Sequence, residues 1–199
     1  MHFSVFPPEP AAPTPKPDGP LAAAPLSESI DFPRMAAELA VVAEPALAVV
    51  LEGAVTALAA HGFTREPGAH QVTHHADEVE NQLHVVLSCT VTDAAAEQRL
   101  SVVVTYILAQ ARQGRKPEVT GKVYMVVGLV GQVPVDRYDR SNALGAGMFT
   151  PTSQMGCPLQ SEQLADSVAL LAKECGPGAR ELTKCTALVA RVLVRKLEP

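Results

Sequence analysis

Histidine is the side chain in this sequence best suited to chemistry, and three of its histidines fall where two strands would face each other. If a turn centres on Val79, His74 stands opposite His84 across an antiparallel pair, and His70 shares their face two positions along. Two facing imidazoles can grip a Zn²⁺ ion, with His70 or the turn carboxylate of Glu78 as a further ligand. The arrangement depends on register, because a slip of one residue moves side chains to opposite faces. A solvated strand face that happens to carry histidines is the plainer alternative. No HExxH helix, P-loop, GxSxG elbow or GxGxxG turn accompanies the cluster.

A second constellation is basic. Arg180, Lys184, Arg191 and Arg195 share one narrow arc of a helix, while Arg112, Arg115, Lys116 and Lys122 surround a connection between two strands. Joined, they would form an anion-binding or acidic-partner surface. A nucleic-acid accessory role is the third-ranked reading. It is opposed by the formal net charge of -5 and by aromatic residues at only 4% with no Trp, since phosphate neutralisation and base stacking need the reverse.

A third group lies between Asp136 and Gln160, where no period is visible. Arg137, Tyr138 and Arg140 are followed by Gly145 and Gly147, then by Met148, Phe149 and Met155. Read as a long mobile loop with an exposed Met/Phe pair, it suits docking on a protein partner. Cys157 as a nucleophile would need a base, and none is adjacent in sequence.

The elements that would position these groups are clearer. From Gln82 to Val133 the chain reads as three strands of alternating character. Leu83, Val85, Leu87, Cys89 and Val91 form one row, Leu100, Val102, Val104, Tyr106 and Leu108 the next, and Val123, Met125, Val127 and Leu129 the third. Short connections make them an antiparallel meander, and a short strand from His70 to His75 precedes them. The third strand is apolar on both faces, so both must be covered. Upstream, Asp31 reads as an N-cap with Pro33 in the first turn, and Pro45 as a kink or break. Ala46–His61 is apolar almost all round, and predicts the most buried helix. Leu39–Ala60 has the length of a bilayer span, but Glu44 and Glu52 fall inside it, so a core helix is expected instead of a membrane span. Downstream, Ser161 starts one helix, Gly176-Pro177-Gly178 ends it, and a second runs from about Ala179 to Lys196.

The first 29 residues hold eight prolines from Pro7 to Pro25, which predicts a disordered Pro-rich tail, with loose PxxP spacings that any such tail contains. No basic-then-apolar leader pattern opens the chain, and Cys89, Cys157, Cys175 and Cys185 form no CxxC pair, although Cys175 and Cys185 could meet across the glycine break. Reduced thiols in a cytoplasmic protein are the expectation.

The sequence therefore predicts a flexible tail over residues 1–29 and a single α+β domain over residues 30–199. That domain is an antiparallel β-meander of about four strands, covered by an N-terminal hydrophobic helix and two C-terminal helices. The leading functional expectation is a non-catalytic adaptor or accessory protein that self-associates or binds another protein, without a cofactor. A metal-binding protein or metal-dependent enzyme using His70, His74 and His84 is the rival.

Overall fold

The computed structural model describes residues 31–93, 98–111, 116–131 and 143–197. In chain order the elements are α1 (Phe32–Ala59), β1 (Thr64–Arg65), β2 (Gln71–Asp77), β3 (Gln82–Asp93), β4 (Gln98–Gln110), β5 (Glu118–Leu129), β6 (Ala143–Met155) and α2 (Ser161–Leu197). The fold is α+β, as the alternation implies. The sheet has six antiparallel strands in the order β1-β3-β4-β5-β6, with β2 also paired to β3. The Pro-rich stretch 1–29 lies outside the described residues.

Both helices lie on one face. That face is built from the rows read in the sequence: Leu83, Val85, Leu87, Leu100, Val102, Val104, Tyr106, Leu108, Val123, Met125 and Val127 are all fully buried. α1 lies over β2, β3 and β4, and α2 over β5 and β6, with a long contact between the two helices. At their crossing Gly53 brings α1 against Thr183 and Ala179 of α2. The opposite face carries a smaller buried cluster of Val86, Val103 and Val126, with Ala143 and Ala146 against it. Two adjacent rows cross this face: Gln71, Ser88, Val103, Val126 and Ala146, then Thr73, Val86, Thr105, Tyr124 and Met148.

α1 begins as read: the Asp31 carboxylate accepts a hydrogen bond from the Arg34 backbone N–H at 3.1 Å. It does not break at Pro45, which is carried inside one 28-residue helix. The proline is exposed, so water can take the carbonyl that the missing N–H would have bonded. Nor is the segment from Ala46 buried all round. One face packs on the sheet, while Val49 and Glu52 look outward, as do Val41 and Val42 one turn earlier. Among the described residues α1 is the one helix long and apolar enough to cross a membrane, and half of the relevant window is buried inside the fold.

The C-terminal region departs further from expectation. A single 37-residue helix runs from Ser161 through Pro177 to Leu197, where two were expected. Cys175 and Cys185 are therefore separated by about 15 Å of helix and cannot meet; all four cysteines are free thiols. The stretch expected to be an irregular loop is largely the strand β6. Its far end is fastened by the Gly156 N–H to the Pro117 carbonyl at 2.6 Å and by the Leu159 N–H to Gln110 Oε1 at 2.7 Å.

Candidate interaction site

The histidines do not assemble as expected. The turn closes with Asp77 opposite Gln82, one half-step later than a centre on Val79. Glu80 donates its N–H to Asp77 Oδ1 at 2.9 Å, and Asn81 takes a left-handed φ of 50°. The shift places His75, not His74, opposite His84, and the two rings stack with centroids 4.2 Å apart. His74 pairs with Val85 on the other face, exposed at the sheet margin. His70 lies before the strand and bonds Glu44 of α1 through Nε2 at 2.9 Å. His70, His74 and His84 thus point to three different surroundings. Among the described residues no group of three His, Cys, Asp or Glu side chains is placed to hold a metal ion. Burial pushes the His84 imidazole down to about 4, and a charge on His75 pushes the same way, against a smaller opposing pull from Asp77.

The two basic groups do not join among the described residues. Arg180, Lys184 and Arg191 are exposed on α2, with Lys184 bonded to Glu181 at 2.7 Å. Arg195 lies in the last turns of α2, with its side chain outside the described residues. Lys122 stands opposite Ile107, on the sheet face turned away from α2, so it does not extend the stripe. Lys116 is exposed, and Arg112 and Arg115 lie outside the described residues. So do Arg137, Tyr138 and Arg140.

Met148, Phe149 and Met155, in contrast, are brought into one element. They lie on β6, which has β5 as its one strand neighbour among the described residues. Phe149 faces α2 and fills the space over Gly178, where an added Cβ would stand 2.7 Å from three ring carbons. Met148, at 47% exposure, faces away from the helices, and Met155 is 72% exposed. The glycines of this stretch serve close packing, not movement. An added Cβ on Gly145 would lie 2.2 Å from Val189 Cγ2, and one on Gly147 would lie 2.4 Å from Leu182 Cδ2. α2 therefore rests directly on the β6 backbone.

Beside that contact lies an apolar groove of about 280 Å³ lined by Leu144, Gly145, Ala146, Cys185, Leu188, Val189 and Leu193. Leu188 is 60% exposed at its rim. Leu144 and Leu188 were not singled out by sequence reasoning. A signal for Leu144 was present: no Asp, Glu, Lys or Arg occurs from Ala143 to Ser161. Edge strands are commonly blunted by charged side chains, proline or bulges. Here Pro151 interrupts one half of β6, and register shifts occur opposite Lys122 and around Leu144, but no charge protects the strand.

Compared with known protein families, characterised proteins and solved structures, the chain matches none.

Proposed function

We propose that this chain is a non-catalytic interaction and assembly protein that docks another polypeptide along β6 and the α2 groove beside it. The observation that carries this reading is the uncharged edge strand Ala143–Met155, which exposes Leu144, Met148 and Met155 next to an apolar groove. An unpaired strand edge offers main-chain donors and acceptors for affinity, and adjoining apolar pockets add side-chain specificity. Among the described residues the outer edge of β6 has no strand partner, and exposed apolar surface beside such an edge is a feature of interfaces.

The test places a photo-crosslinking residue at Met148, at Leu188 or, as a control, at exposed His74 on the opposite sheet margin, and irradiates cells that make the protein. Discrete adducts from positions 148 and 188, absent from position 74, are the expected result. Adducts equally strong at His74, or none at Met148 and Leu188, would overturn the reading.

A further inference from the structure

We infer that the polypeptide docked at this surface is acidic: an extended segment that pairs along β6, seats one apolar side chain in the groove and sets Asp or Glu beside the basic face of α2. This rests on the reading of β6 and the groove as the docking surface, and it names the chemistry of the partner.

Charge is segregated along the chain. The whole protein carries -5, yet from Ala179 to Leu197 the sequence places Arg180, Lys184, Arg191, Arg195 and Lys196 against Glu181 alone. β6 carries no Asp, Glu, Lys or Arg at all. Lys184 bonds Glu181 at 2.7 Å, but both side chains are exposed, so the two restrain each other weakly. At physiological salt a charge is screened over about 8 Å. A segment in the groove therefore responds to the cations of α2 and not to the net charge of the chain.

Helix geometry joins this charge to the groove. Lys184 and Arg191 stand four residues before and three after Leu188, so all three share one exposed face. Cys185 and Val189 turn towards β6 and line the groove. Leu188 is thus the ridge between an apolar hollow and a basic face. The lengths match as well. Arg180 to Arg191 covers about 17 Å at ~1.5 Å per residue, and Ala143–Thr150, ahead of Pro151, covers about 27 Å at ~3.4 Å per residue. Val189 lies over Gly145 and Leu182 over Gly147, so helix and strand run past each other over the same stretch.

A strand added to β6 turns alternate side chains towards α2. An apolar anchor on that side has its neighbours of the same face two positions away in either direction. Carboxylates there meet the long arms of Lys184 and Arg191, and an arginine fork suits a carboxylate. Nucleic acid is also anionic, but it offers no aliphatic anchor, and no Phe, Tyr or Trp lines the groove to stack a base.

Fluorescence anisotropy on the full chain tests the inference. The probe is a dye-labelled nine-residue peptide with leucine at its centre, glutamate at the other odd positions and threonine at the even ones. At 50 mM salt it should bind at least tenfold more tightly than the same peptide with lysine for glutamate, and 500 mM salt should shrink that ratio. Lys184→Glu combined with Arg191→Glu should weaken binding about tenfold, because two exposed charges are reversed. Leu188→Asp should weaken it as much, and Arg34→Glu on α1 should leave it unchanged. A thermal melt confirms that each variant folds. Equal or tighter binding of the lysine peptide overturns the inference, as does an unchanged affinity in the charge-reversed variant. A single-stranded oligonucleotide that displaces the probe as readily as unlabelled peptide, or an equal affinity with serine in place of the leucine, also overturns it. In either case α2 would hold anions without the groove. No binding of the probe at 500 µM protein overturns it too, whereas crosslinks from positions 148 and 188 would keep the docking reading with a partner of other charge.

Discussion

The two margins of the sheet are built to opposite specifications. At one, β1 and β2 lie end to end along β3, and many of the surrounding side chains are polar or charged. His70 bonds Glu44, Arg65 bonds Glu52, and Arg99 forks onto Glu66 at 2.7 and 2.9 Å while the Thr92 hydroxyl donates to the same carboxylate. Hydrogen bonds from Arg99 and Thr92 hold the Glu66 carboxyl below its usual range. The hollow there, about 280 Å³, is lined by Arg65, Glu66, Gln71, Ser88, Thr90 and Ser101 together with Pro67, Ala69, Cys89 and Val130. At the other margin a groove of the same volume is lined by leucine, valine, alanine and glycine, and the strand carries no charge. A margin crowded with solvated polar groups resists addition of another strand, and an uncharged apolar one invites it. Among the described residues, the contrast marks β6 as the margin strand that carries no charge.

The largest expected effect breaks the open margin from within. Gly145→Ala places a methyl group 2.2 Å from Val189, a stiff β-branched side chain that is itself buried. Neither β6 nor α2 can yield without losing other contacts, so overpacking should cost about 1–3 kcal/mol. Chemical denaturation measures it. A loss under about 0.5 kcal/mol would mean that α2 is not seated on β6 as described. Gly178→Ala makes the same point from the helix side. Alanine ordinarily gains up to about 1 kcal/mol over glycine inside a helix, but here the Phe149 ring occupies the space.

That packing also explains what the sequence could and could not disclose. β3, β4 and β5 were legible because one row of each strand is wholly apolar against the helices, which writes a period of two. β6 was not, because its helix-facing positions 145 and 147 are glycine. The closest contacts on the strand are thus made by residues without side chains, and the alternation disappears. The unbroken α2 was hidden for a related reason: Gly178 reads as a breaker until Phe149 is seen to need its missing Cβ. The histidines failed on register. The margin of error was half a turn residue, yet it exchanged His74 for His75 as the partner of His84. The uncharged character of β6 could have been noticed from the absence of Asp, Glu, Lys and Arg between Ala143 and Ser161.

A middle-sized effect is expected at the polar margin on acidification. His84 faces His75 and Asp77 on β2, with Lys122 one strand further along its row beyond Ile107. Its folded-state value near 4 lies below the ~6.5 of an unfolded histidine. Between those values the unfolded chain binds more protons than the folded one, so stability falls as pH drops from about 6.5 towards 4 and levels off below. Water reaches part of the ring, which reduces the size of the loss. Urea midpoints at pH 7 and pH 4.5 should differ less in His84→Leu than in the wild type. An unchanged difference would show that the stacked pair does not sense pH.

The smallest expected effect asks whether the carboxylate contacts of the polar margin hold the fold together or only occupy its edge. Glu44→Gln removes the carboxylate charge beside His70, and Glu52→Gln removes the one beside Arg65, while each glutamine keeps an acceptor oxygen. Both glutamates are more than 40% exposed, so solvent screens each pair and side-chain entropy offsets much of the attraction. Each substitution should cost at most about 0.2–1 kcal/mol, and added salt should shrink that cost further. Denaturation in low and high salt supplies the measurement. A loss that exceeds 1 kcal/mol and ignores salt would make these pairs structural clamps between α1 and the sheet. A small, salt-sensitive loss would instead fit charges that keep this margin hydrated. The double variant carries the argument one step further. With both carboxylates neutral but every core contact intact, any new self-association should appear at β2, and Leu188→Asp would not reverse it.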